Sequence, residues 1–167
     1  MSALELAEHR ARAALGVPEQ RSLGVVRAED AAEFARAAGE SAPHLVDPGH
    51  PGFRVHPLYA VSLLRGAPGA EPAEFRPDGM YRDEVPGADG LDVRLMAGGQ
   101  DVRLRAEVRP GDRIRMRRAL TGVERKGDGA GFLLLTVEKT YAAHRDALGE
   151  AVEIVDVVDV TERFIVR

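Results

Sequence analysis

Between Glu40 and His56 the chain gathers side chains that move protons near neutral pH: the Glu40 carboxylate and the imidazoles of His44, His50 and His56. A carboxylate beside an imidazole can act as base and acid for the removal or addition of water. Three histidines within 13 positions also raise zinc. Their spacing fits no ligand pattern, and neither a cysteine nor an acidic motif completes a set, so no metal is expected. Cysteine is absent, which removes disulfides, thiolate ligands and a thiol nucleophile. Ser62 lacks the context of a nucleophile elbow. No glycine-rich loop follows a strand and opens a helix, so no nucleotide cofactor is expected.

The bulk properties narrow the field further. A length of 167 residues suits one domain, 1–167, with a genuine core. A net charge of −4 offers no basic field for nucleic acid. The longest apolar run, FLLLTV at 132–137, is far too short for a membrane span. The opening MSALELAEHRARAALG has no apolar signal core, and with the missing cysteines this points to the cytoplasm.

The elements that must position the reactive residues can be read from periodicity. Leu4, Ala7, Ala11 and Leu15 mark an amphipathic helix over 4–15. LGVVRA at 23–28 reads as a strand. Asp30 and Glu33 form a capping box for the helix AAEFARAA, which Gly39 ends. Residues 41–57 read as loop, 56–66 as a short helix apolar on most sides, and 67–90 as a long Pro/Gly loop. From 92 onward, apolar alternation and intervening turns predict a run of antiparallel strands. Gly98-Gly99 reads as a turn signal, and within a strand either as a place where a substrate can approach closely or as a plain β-bulge. The class is therefore α+β, with helices on one face of an antiparallel sheet.

The stretch Phe34–Asp47, FARAAGESAPHLVD, resembles a motif of the R-specific enoyl hydratases and dehydratases, the MaoC-like hot-dog proteins. There an aromatic residue and a short helix lead into Gly-Asp-x-Asn-Pro-aliphatic-His, whose Asp and His handle water and proton. Phe34, Gly39 and Pro43 keep the frame. Glu40 stands at the Asp position, Ala42 at the Asn position and Leu45 at the His position, with His44 displaced by one. VHPLYAVSLL at 55–64 resembles the start of that family's central helix, and MAGGQDVRLRAEVRPGD at 96–112 its later strand and turn. The resemblance is closest to the N-terminal, fatty-acid-synthase-type dehydratase domains.

The resemblance implies a hot-dog fold, a curled antiparallel sheet around a central helix, working as a double hot dog. It implies a subunit of a (3R)-hydroxyacyl-ACP or -CoA dehydratase of fatty-acid or polyketide type, without a cofactor. A second hot-dog chain would supply the Asp-His pair while this one accommodates the acyl chain, with Phe53, His56, Tyr59 and Leu63 as pocket candidates. Glu40, His44 and His56 remain the catalytic candidates. Glu40 reaches roughly 1.5 Å further than Asp, and its simpler reading is a solvated residue after a helix end. Two alternatives stand beside this: a homodimeric dehydratase using Glu40 with one of the histidines, and a non-catalytic dimer that binds an acyl or aromatic ligand.

Overall fold

The computed structural model describes residues 1–64, 70–129, 131–146 and 152–167. Helix α1 (Ala3–Ala13) is opened by a capping box between Ser2 and Glu5 and buries Ala7 and Ala11. Strand β1 (Glu19–Val25) begins earlier than its apolar letters suggest. Helix α2 (Ala28–Ala37) starts two residues before Asp30, which leaves Glu29 and Asp30 in the first turn. There their charges favour the helix N-terminus without any side-chain cap, so the expected capping box is not formed.

The long reading frames of β2 (Leu95–Leu104), β3 (Arg113–Lys126), β4 (Phe132–Asp146) and β5 (Val152–Val166) complete one antiparallel sheet in the order β1-β3-β4-β5-β2. Gly98-Gly99 is a bulge within β2, where the register with β5 shifts between Ala97 and Gly99, and so no turn divides the strand there. A Cβ on Gly98 would sit 3.2 Å from the Arg163 carbonyl oxygen, so the close approach is to β5.

The expected loop 41–57 holds one turn of helix, α3 (Pro43–Val46). Of the helix expected over 56–66, α4 spans Tyr59–Ser62 among the described residues, and residues 65 and 66 fall outside them. Its apolar residues divide between core and solvent, with Tyr59 and Ala60 buried and Leu58 and Leu64 exposed. Residues 70–94, within and just beyond the expected long loop, form a strap laid over the sheet. Val85 and Ala88 of the strap are buried beside Ala7, Ala11 and the sheet. Of the expected loop 67–90, residues 67–69 fall outside the described residues.

The core-facing side of the sheet is divided in two. One apolar cluster joins Leu23, Ala31, Tyr59, Ile114, Tyr141, Val158 and Val160. The other joins α1 and the strap to Leu120, Leu133, Leu135, Val137, Phe164 and Val166. Burying each of these large side chains contributes about 1.5–3 kcal/mol. A row of charge crosses the face between them, supplied by Arg118 of β3, Lys139 of β4 and Glu162 of β5. Each occupies an inward position between buried apolar neighbours. Arg118 donates to Glu19 Oε2 at 2.9 Å and to the Asp83 carbonyl at 2.6 Å. Lys139 donates to Glu84 Oε1 at 2.6 Å and lies 2.6 Å from Glu162 Oε2. The second contact is one of charge alone, because that oxygen accepts no directed hydrogen bond. The strap thus meets the sheet through Asp83 and Glu84, and buried cations find partners as they must.

Candidate active site

Glu40 and His56 are brought together by the folding of the segment between them. Gly39 takes φ +88 after α2, its N–H donates to the Arg36 carbonyl at 3.0 Å, and the Glu40 N–H donates to the Ala35 carbonyl at 3.0 Å. This left-handed exit closes the helix. Arg36 Nη2 donates to the Val46 carbonyl at 2.9 Å, and the Arg54 N–H to the His44 carbonyl at 2.8 Å, folding the segment back. His56 Nε2 then lies 3.7 Å from Glu40 Oε1. Its Nδ1 accepts the Leu58 N–H at 3.2 Å, so the neutral ring carries its proton on Nε2, facing the carboxylate.

The aromatic surroundings fix the imidazole. Phe34 packs edge-on against His56, centroids 5.3 Å apart, and against Tyr59 at 5.7 Å. Burial holds the Tyr59 phenol above its ordinary pKa, and the negative charge of Asp30 pushes the same way. Among the described residues His56 alone of the three central histidines pairs with a carboxylate. His50 Nδ1 accepts the Gly52 N–H at 3.0 Å, and His44 is exposed.

A groove of about 460 Å³ lies between this segment and the end of β2. His44, Leu45, Arg54, Val55 and Pro57 form one wall, and Leu104 to Val108 the other. Val55 and Pro57 belong to that lining, whereas His56 between them and Glu40 do not. Of the residues expected to line an acyl pocket, Phe53 lies on an adjoining depression of about 360 Å³ with Val108 and Pro110. Tyr59 is buried, and Leu63 packs against the first core cluster.

One residue read only as part of a turn has a larger place. Asp112 does accept the Arg109 N–H at 2.8 Å, as turn chemistry requires. It is also buried against Arg145, whose Nε donates to Oδ1 at 3.0 Å while Nη2 donates to the Glu107 carbonyl at 2.7 Å. The hydrogen bond to Asp112, and the charge beside it, hold the Arg145 guanidinium above its ordinary pKa. Arg145 thereby ties down the 105–112 wall of the groove. The only signal in the sequence was a basic residue at the end of a long strand.

Residues 13–152 match the family model described as the FAS1-like dehydratase domain region. No curated protein matches the chain by sequence. Among solved structures, the ChsH1–ChsH2 complex from Mycobacterium tuberculosis aligns with a TM-score of 0.60 at 16% identity, covering 97% of this chain and 89% of that one. A MaoC-like dehydratase from Phytophthora capsici gives 0.59 at 17% identity over 94% of this chain, which spans 50% of that protein. The HadBC (3R)-hydroxyacyl-ACP dehydratase complex from Mycobacterium tuberculosis gives 0.52 at 17% identity, over 91% and 96% of the two chains. At these identities the likeness is one of fold, and the fold is the hot dog.

Proposed function

This chain belongs to the family of FAS1-like dehydratase domains, and from that premise we propose that it is one subunit of a (3R)-hydroxyacyl-thioester dehydratase. In this reading it houses the acyl chain, while a second hot-dog chain supplies the proton-transferring pair. The observation that carries the proposal is the groove itself. Leu45, at the place where the family motif has its histidine, lines it beside Val55 and Pro57, with Leu104 on the opposite wall. These apolar side chains can receive hydrocarbon, and Leu45, unlike a histidine, transfers no proton.

One further feature supports a partner. Among the described residues β2 is an edge strand, bonded to β5 alone, so one row of its backbone groups is open to another strand. A thioester on ACP or CoA in fatty-acid or polyketide metabolism fits this role, as does a cytoplasmic setting. The test is turnover by the purified chain, alone and with a co-purified hot-dog partner. The proposal expects none alone and full activity in the complex.

A second reading rests on the 3.7 Å approach of His56 to Glu40. Glu40 would take the C2 proton of a 3-hydroxyacyl thioester. The Nε2–H of His56 would protonate the departing C3 hydroxyl, releasing water and forming the C2–C3 double bond. Turnover by the lone chain, abolished by Glu40→Gln, favours this homodimeric enzyme over the subunit reading.

A further inference from the structure

The inner face of β2 changes polarity along its length. Leu104 pairs with Val158 and Val102 with Val160. Cross-strand partners share a face, and both valines are buried in the first core cluster. Leu104 and Val102 therefore lie on the core side of the sheet, yet they are 52% and 38% exposed. Leu104 also lines the groove, across from Leu45 and Pro57. The apolar surface is thus continuous from the groove onto the strand.

Gln100, the next inward residue, ends it. Its Nε2 donates to Glu162 Oε1 at 3.0 Å. The second amide N–H and the amide oxygen of Gln100 make no hydrogen bond among the described residues. Behind Glu162 stands Lys139, only 4% exposed and shared with Glu84. From Leu104 to Gln100 is about 13 Å at ~3.3 Å per residue. An extended hydrocarbon advances ~1.3 Å per carbon, which follows from its bond length, so about ten carbons cover that span.

Resting on the acyl-accommodating reading, we propose that the groove takes an acyl chain bearing a hydroxyl or keto oxygen about ten carbons beyond Leu104, and that Gln100 selects it. A plain methyl end laid against Gln100 strips water from its free amide groups and returns nothing. A hydroxyl replaces that water with both a donor and an acceptor.

The test measures binding of saturated acyl-CoAs and their ω-hydroxy counterparts, from eight to sixteen carbons, to the full chain in whatever oligomeric state it purifies. The expected result is one length at which the terminal hydroxyl tightens binding about tenfold, near the value of a single well-placed hydrogen bond. Gln100→Leu, a change on an exposed edge strand, should erase that gain. Val102→Gln should move the preferred length down by about five carbons, the span of two strand residues. Saturated chains bound with no gain from the hydroxyl at any length, or with both variants behaving as wild type, overturn the inference and leave the subunit role intact. No acyl-CoA binding at all removes the acyl-accommodating reading and this inference with it.

Discussion

Nε2 of His56 faces Oε1 of Glu40 across 3.7 Å, and the Leu58 N–H fixes the ring from the other side. Neither residue is among those that line the neighbouring groove. The pair is therefore expected to be a structural tie between α2 and the start of α4. In a complex with a hydratase-competent partner, Glu40→Gln and His56→Gln should leave kcat within about twofold. A loss of 10²-fold or more, the ordinary cost of removing a general acid or base, would place them in the reaction instead. Consumption of an enoyl thioester, followed by its absorbance, reads the difference.

Gly87 marks the closest approach of the strap to α1. A Cβ there would stand 2.7 Å from the Ala11 nitrogen and 2.8 Å from the Ala7 oxygen, both backbone atoms, at φ +84. Neither the clash nor the left-handed conformation can be relieved by a rotamer. Gly87→Ala should cost at least about 2 kcal/mol, seen as a lower urea midpoint. An unchanged midpoint would mean that the strap does not need this contact.

Arg145→Met should leave the Asp112 carboxylate buried with only the Arg109 N–H for company. Breaking such a pair by deleting one partner costs about 3 kcal/mol. Adding Asp112→Asn to Arg145→Met should recover part of the loss, since the stranded charge is gone. Equilibrium unfolding of the two variants checks both the size and the recovery.

Tyr141 gives the fold a dependence on alkaline pH. Burial, then the charges of Glu162 and Glu84, hold its phenol above the ordinary value of 10.0. Below that pH the tyrosine is neutral in both states and its contribution is fully present. As pH rises past about 10, an unfolded tyrosine ionises while the folded one keeps its proton, so stability falls. Melting temperatures between pH 9 and 11 should decline in the wild type and decline less in Tyr141→Phe. Equal slopes would remove Tyr141 from the explanation.

Much of the sheet was legible because β3 and β4 alternate cleanly, Ile114, Met116 and Leu120 on one strand and Leu133, Leu135 and Val137 on the next. The left-handed exit at Gly39 was legible for a local reason, since glycine meets no Cβ penalty there. The start of β1 was not. Its Glu19 and Arg21 are polar letters held by pairing with β3 and by Arg118 and Asp83, far away in sequence. The helix expected over 56–66 came out shorter still for a related reason. Tyr59 and Ala60 are buried in the core while Leu58 and Leu64 stay exposed, a division that a local period cannot reveal. At the site, the distance between Glu40 and His56 depends on how the 41–57 segment folds back, and that in turn on Arg36 and Arg54. Arg118, Lys139 and Glu162 did leave a trace, each breaking the apolar alternation at an inward position of its strand.

That transverse line of ions has a dynamic consequence. Because Arg118, Lys139 and Glu162 separate the apolar clusters, each half of the molecule owns its own buried nucleus. Amide protons on the Ile114–Tyr141 side and the Leu133–Phe164 side are then free to exchange with deuterium at different rates, as two foldons in one polypeptide. A protein built this way can loosen one end while the other stays shut.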